Sequence, residues 1–231
     1  MAAWKNDNEL FTLVKRELFT ALVGDILDKL GFLHQFLPQQ LKPLDSKMVI
    51  IGRAMPVLEA DVYCEVVEGT HLSIMKKPFG LMFEALDSLR ENEVYICTGA
   101  SPRYALWGGL MSARAIKLKD AGAVMNGFSR DTNQVIGLNF PTFSLGSYAQ
   151  DQGPRGKVID YRITIKWDNI RISPGDIIFG DRDGVLVIPQ EVAEEALTKA
   201  IEKARIEKKI LKSLESDGIS SVEAFKKFGV M

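Results

Sequence analysis

Apolar positions recur at helical spacing near the start of the chain. In NELFTLVKRELFTALVGDILDKLG (8–31) they return every three or four residues, and Gly31 stands where a C-terminal cap belongs. The pattern predicts one amphipathic helical stretch. KMVIIGRAMPVLEA (47–60) is instead a near-continuous apolar run, a buried strand with a glycine at a bend. A helix is expected from Met82 to Leu89, a strand in EVYICTG (93–99), and a second helix from Gly109 to Ala121 closed by Gly122. A short strand through Ala123, Val124 and Met125 follows. FPTFSLG (140–146) and YRITIKW (161–167) have strand character, and ISPGDIIFGDRDGVLVIP (172–189) holds two short strands around polar turns. From Gln190 to Ser216 the chain is charged and helical, and SVEAFKKFG adds a short terminal helix. This order favours α/β layers with part of the sheet antiparallel, a body over 1–189 and a helical arm over 190–231.

Composition narrows the class without naming a function. The 231 residues, 46% apolar and 26% charged, are an ordinary globular mixture and enough for one well-packed domain with an appended arm. A formal charge of −1 gives no bulk attraction to nucleic acid or a membrane surface, so neither is expected as a partner. MAAWKNDNELFTLVKREL is punctuated by charges, and no stretch reaches the roughly eighteen apolar residues of a membrane span. Cys64 and Cys97 lie far apart without Cys-x-x-Cys spacing, which fits a reducing compartment. The expected location is cytoplasmic.

The candidate chemistry concentrates in one region. In AGAVMNGFSRD (121–131) the apolar strand stops at Gly127 and then presents Arg130 beside Asp131. On an extended chain, neighbouring side chains point to opposite sides, so the two are expected to seek other partners, either solvent or a ligand. Just upstream, Gly108 and Gly109 stand where a helix begins. Backbone N–H groups there have no intrahelical acceptor and the helix dipole favours an anion, although a plain glycine turn reads the same way. Whether this cradle and the Arg-Asp pair meet depends on the fold.

Other candidates are weaker. In the C-terminal helix Ala193, Leu197, Ala200, Ile201, Ala204 and Leu211 form an apolar stripe, and Glu207 falls on the same face, where it must be exposed at the stripe's edge or paired, with Lys203 one turn earlier. Asp25 and Asp28 share a helix face, as solvated or capping carboxylates or as a metal pair. Asp176, Asp181 and Asp183 read as structural turn residues. His34 and His71 have no partner at metal spacing, and Trp107 is expected to pack.

GGLMSARAIKLKDAGAVMNGFSRD, followed by FPTFSLG and SPGDIIFGDRDGVLVIP, resembles the RraA-like family, and the match extends upstream through GRAMPV and DILDKLG to cover about 22–189. The family includes metal-dependent 4-hydroxy-4-methyl-2-oxoglutarate aldolases and protein regulators of ribonuclease E. The resemblance implies a swivelling β/β/α sandwich assembled as a homotrimer or hexamer. It implies that the segment Gly108, Gly109, Leu110 and Met111 supplies backbone donors to a pyruvate carboxylate, that Arg130 binds substrate, and that Asp131 is the metal ligand. It also implies that Glu207 reaches a neighbouring subunit's site to hold metal-bound water. Two positions depart from the aldolase pattern: Gly109 replaces a frequent acidic residue, and Asn92-Glu93 replaces Gly-Asp. The segment 59–92 is also long.

The implied activity is a lyase that cleaves a 4-hydroxy-2-oxo acid to pyruvate by a retro-aldol reaction and decarboxylates oxaloacetate through the same enolate. Its cofactor would be Mg2+ or Mn2+, since magnesium tolerates a single carboxylate and completes its shell with water and substrate oxygens. The alternative is a non-catalytic protein that docks on an RNA-processing enzyme. Methyl transfer is not expected, because no glycine-rich cofactor loop follows an N-terminal strand.

Overall fold

The computed structural model describes residues 4–216 and 220–228. The first helical stretch is two helices, α1 (Asp7–Glu17) and α2 (Thr20–Lys29), with Leu18 and Phe19 extended between them. Apolar spacing runs straight through this break and hides it from the sequence. The break is set from afar: the Asp181 carboxylate accepts from the Thr20 N–H at 2.8 Å and from its hydroxyl at 2.7 Å, capping α2.

The chain continues through β1 (Lys42–Pro43), β2 (Ile50–Asp61), α3 (Met82–Asp87), β3 (Glu93–Thr98), β4 (Ala105–Trp107), α4 (Gly109–Lys117), β5 (Gly122–Met125), β6 (Phe128–Ser129) and α5 (Thr132–Gly137). Then come β7 (Thr142–Ser144), β8 (Gly156–Tyr161), β9 (Ile165–Trp167), β10 (Ile170–Ile172), β11 (Ile177–Gly180), β12 (Val185–Ile188), α6 (Ala193–Ser216) and α7 (Ser221–Phe228). The expected strand over 161–167 is divided because Arg162 adopts φ 58° and turns the chain between β8 and β9.

Strand β2 organises the main sheet. Its parallel neighbour β3 runs along Arg53–Leu58, and beyond β3 lie β5, β7 and β1. On its other side β11 pairs antiparallel with Ile50–Arg53 and β8 with Val57–Asp61, and β12 extends the sheet past β11. Strict alternation then sorts the side chains into layers. Val94, Ile96, Val124, Ile178, Val185 and Val187 face the β9–β10 hairpin with its buried Trp167. On the opposite face, Ile51, Ile177, Phe179, Leu186 and Ile188 pack against α1, α2 and α6, while Tyr95, Cys97, Ala123 and Met125 pack against α3 and α4. Hairpin, sheet and helices make three layers, β/β/α.

Helix α6 buries Ala196, Leu197, Ala200, Ile201 and Ala204 in the same core as α1 and α2. Its stripe differs from the expected one at the C-terminal end, where Ile210 is buried and Leu211 is exposed. Among the described residues no helix is long and apolar enough to cross a membrane.

Candidate active site

The meeting of cradle and ion pair is made by two short paired strands. Strands β4 and β6 run parallel, with Trp107 beside Ser129, and the Arg130 N–H donates to the Trp107 carbonyl at 2.9 Å. Whatever follows one strand therefore lies beside whatever follows the other. Gly108 and Gly109 follow β4; Arg130 and Asp131 follow β6. The Gly109 N–H donates to Asp131 Oδ2 at 3.1 Å, so the carboxylate sits on the N-terminus of α4, where the dipole favours it.

Asp131 has φ 55° and ψ 35°, left-handed rather than extended, which removes the alternation expected of neighbours. Arg130 Nε thus comes to 3.9 Å from Asp131 Oδ2, on the same side. The arginine's firmer contact is Nη1 to Asp151 Oδ1, at 2.9 Å. Asp131 is the N-cap residue of α5, but its side chain makes no capping hydrogen bond, and among the described residues its Oδ1 accepts none. Asp131 is among the residues that line a cavity, and a carboxylate with one unbonded oxygen suits one ligand position on a hard cation that keeps several waters.

The glycines are there for close approach. A Cβ on Gly108 would lie 2.8 Å from Asp131 Oδ2, and one on Gly109 would lie 2.1 Å from Gln134 Oε1. Gln134, on α5, occupies the space that an acidic side chain at 109 would need.

These residues line a cavity of about 200 Å³. Gly108, Leu110 and Met111 form its cradle side and Arg130, Asp131 and Asp151 its charged side. Phe79, Met82 and Phe83, all from the long 59–92 segment, form an apolar wall. Trp107 packs as expected, stacked on Phe140 with its indole N–H on Ser112 Oγ at 2.8 Å, but it also lines the cavity. No histidine does.

Glu207 does not line this cavity. It lies 3.4 Å from Lys203 Nζ, the helical pair foreseen as its plainer role, and borders a separate groove with Glu17, Phe19, Leu211 and Leu214. It is Lys203 that is buried in the α6 stripe, reaching Asp25 across to α2. Asp25 is thereby a structural partner. Asp176 accepts from the Ser173 and Gln190 N–H groups and Asp181 caps α2, so both are structural. Asp183 lies in Asp181's turn, its N–H donating to Asp181 Oδ1. In Asn92-Glu93, Asn92 takes φ 66° and Glu93 forms a two-pronged pair with Arg162.

The RraA-like family model, described as Aldolase/RraA, matches residues 20–187. The chain belongs to the RraA-like family. Among its relatives, a protein of Halalkalibacterium halodurans named "Putative 4-hydroxy-4-methyl-2-oxoglutarate aldolase" is 29% identical over 210 residues, 91% of this chain and 90% of its own length. Protein DlpA of Legionella pneumophila is 28% identical over 200 residues, 85% of this chain; the chain spans only 30% of that longer protein. In structure, RraAS2 of Streptomyces coelicolor, described as an unusual member of the RNase ES inhibitor RraA protein family, superposes with a TM-score of 0.73 over 89% of this chain and 97% of its own, at 21% identity. The fold is therefore that of RraA-like proteins.

Sequence reasoning missed Asp151, Gln134, Gln152 and Glu59. Asp151 and Gln152 sit in AQDQGPRG, which reads as an ordinary polar turn. Gln152 lines the cavity and donates from Nε2 to the buried Glu59 at 2.9 Å. Burial pushes the Glu59 carboxyl up to about 8, against the pull of that hydrogen bond.

Proposed function

We propose that this protein is a divalent-metal-dependent lyase that releases pyruvate from a 4-hydroxy-2-oxo acid of the 4-hydroxy-4-methyl-2-oxoglutarate type, and from oxaloacetate. One observation carries the reading: β4–β6 pairing brings a guanidinium, a carboxylate with an open oxygen and a helix N-terminus to the edge of one small cavity. The name of the H. halodurans relative is consistent with it.

A magnesium or manganese ion held through Asp131 would supply Lewis-acid polarisation of the 2-oxo group. The chain's own groups do the rest. The α4 N-terminus, with the Leu110 and Met111 N–H groups, receives the substrate carboxylate. Arg130, fixed by Asp151, places permanent positive charge where the C2 oxygen becomes an enolate oxygen. As the C3–C4 bond breaks, its electron pair moves toward that oxygen. The C4 hydroxyl becomes a carbonyl, and the proton it loses is balanced by the one C3 gains in forming pyruvate. With oxaloacetate the same bond breaks, carbon dioxide leaves, and C3 takes its proton from solvent. Phe79, Met82 and Phe83 give the cavity one apolar side.

A homotrimer or hexamer would cover the groove beside Phe19 and Leu211 and bring Glu207 toward a neighbouring site. The second reading, a non-catalytic regulator of an RNA-processing enzyme, has its support in the fold shared with RraAS2. Coupled detection of pyruvate from both compounds, with and without chelator, tests the choice. Release that stops in chelator and returns with magnesium supports the lyase; no release from either compound supports the regulator.

A further inference from the structure

Phe79 adopts φ 60°, a left-handed conformation that is costly for a bulky residue and persists only where the surroundings enforce it. Strand β8 enforces it. The Val158 N–H donates to the Phe79 carbonyl at 3.1 Å, and the Leu81 N–H donates to the Val158 carbonyl at 2.9 Å. The turn so held brings Phe79 into the cavity lining, where its ring meets that of Phe83 edge-on, 5.7 Å between centroids. Phe83 is 56% exposed, and Leu110, on the cradle side, is 81% exposed. Two large apolar side chains therefore line the cavity with much of their surface uncovered, and covering it with another apolar group is favourable.

The charges of the same cavity point the same way. Among the described residues one cation, Arg130, lines it against two carboxylates, Asp131 and Asp151, and Asp151 already holds the guanidinium at 2.9 Å. A neighbouring hollow that shares Arg130 and Asp131 adds Thr132, Ser147 and Tyr148, but no further cation among the described residues. A single substrate carboxylate is served by the α4 N-terminus. A second one, at the far end of the substrate, would have no cation of its own, and an unpaired charge against apolar surface is costly.

We propose that the substrate carries an apolar group at C4, alkyl or aryl, in place of a second carboxylate, and that Phe79, Phe83 and Leu110 are the surface that recognises it. This rests on the lyase reading above and narrows its substrate. Cleavage of the C3–C4 bond then releases pyruvate and an apolar aldehyde or ketone. The C4 hydroxyl becomes that carbonyl, and the proton it loses is balanced by the one C3 gains. 4-Hydroxy-4-methyl-2-oxoglutarate and oxaloacetate, each with two carboxylates, are the poorer substrates.

The test compares 5-methyl-2-oxohexanoate with 2-oxoglutarate. The two share a branched shape and differ in two terminal methyl groups against two carboxylate oxygens. Neither has a C4 hydroxyl to become a carbonyl, so calorimetric titration into the intact protein with magnesium reads binding alone. 5-Methyl-2-oxohexanoate should bind about tenfold to a hundredfold more tightly, the scale of one methylene group in an apolar pocket. Phe83→Lys, which sets a cation in the exposed part of the wall, should lower the ratio of the two dissociation constants by about tenfold or more. The ratio cancels any general weakening of the site, and the wild-type comparison needs no variant. Equal binding, tighter binding of 2-oxoglutarate, or no binding of either acid overturns the inference, as does a ratio unmoved in Phe83→Lys. Magnesium-dependent release of pyruvate by the wild type keeps the lyase reading in each of those cases; its absence removes that reading and this inference with it.

Discussion

Arg130 Nη1 lies 2.9 Å from Asp151 Oδ1, closer than its Nε comes to Asp131, the carboxylate next to it in sequence. The consequence is a division of labour between the two acids. Asp151 takes up the guanidinium and sets its direction, leaving Asp131 with one oxygen that accepts no hydrogen bond among the described residues. Asp151→Ala should therefore leave metal affinity largely unchanged while lowering kcat by about tenfold to a hundredfold, through misplacement of Arg130. Both side chains are partly exposed, so the melting temperature should barely move, a change of under about 1 kcal/mol. Magnesium titrations of wild type and variant check it. A large loss of metal affinity would give Asp151 the ligand role instead.

Asp131→Ala and Arg130→Ala should separate in the opposite sense. Without Asp131 the cation has no carboxylate and stimulation by magnesium should vanish. Without Arg130 metal binding should persist, while turnover falls by the cost of one oxyanion donor, about 3–4 kcal/mol. Manganese binding, followed by its electron paramagnetic resonance signal, distinguishes the two without recourse to activity.

The cradle and the Arg-Asp pair were legible because each is local: a glycine pair opens a helix, and an apolar strand ends before a charge pair. The pattern alone indicated α/β layers with part of the sheet antiparallel, and the three-layer order came from the family resemblance, since β11 and β12 are continuous apolar runs with no visible alternation. What the sequence hid comes from distant segments. The break between α1 and α2 depends on Asp181, which lies 161 residues beyond Thr20. Asp151 reaches Arg130 because its loop is tied to β4, with the Ala105 N–H donating to the Gln150 carbonyl at 2.8 Å. Glu59 stands in a strand where alternation predicts only burial, and its partner is 93 residues away. The Arg130–Asp131 geometry was misjudged because extended alternation was assumed where the backbone is left-handed.

Lys157, fully buried on β8, donates from Nζ to the backbone carbonyls of Glu65 and Lys77, each at 2.5 Å. It ties down both ends of the excursion that delivers Phe79 to the cavity wall. Burial pushes the ammonium's pKa down, so its charge is held at a cost that the two carbonyls offset. Lys157→Met should loosen the segment 62–78 more than the body. Hydrogen exchange and limited proteolysis should accelerate there, with the main sheet protected as before. Uniform loss of protection would show that Lys157 supports the whole fold.

Glu207 pairs with Lys203 within the chain, so any role across a subunit boundary has to be visible as a change in activity without a change in assembly. Glu207→Gln keeps the shape of the side chain and should preserve the sedimentation coefficient of the proposed trimer or hexamer while lowering kcat by about tenfold or more, as expected for a lost acid–base group. Leu211→Glu, which places a charge on the exposed apolar groove of α6, should dissociate the assembly. Truncating the chain before α6 cannot serve, because that helix carries core residues. A monomeric wild type, or full activity in Glu207→Gln, would remove the shared site.

Glu59 carries the clearest dependence of stability on pH. Its folded carboxyl loses its proton near 8, whereas the ordinary value is 4.5, close to that of the unfolded chain. Below about 4.5 both states are protonated and the group contributes nothing to the balance. As pH rises from there, the unfolded chain ionises while the folded one still holds its proton, so the folded state loses stability at up to about 1.4 kcal/mol per pH unit until pH approaches 8. Glu59→Gln has no proton to lose and can still accept from Gln152 through its amide oxygen. Its stability relative to wild type should be smallest near pH 4.5 and grow steadily to pH 8, reaching on the order of a few kcal/mol. Denaturant melts at half-unit pH intervals measure the difference directly. A difference that stays flat with pH would mean that Glu59 ionises normally, and its place behind Gln152 would then be that of a carboxylate rather than an acid.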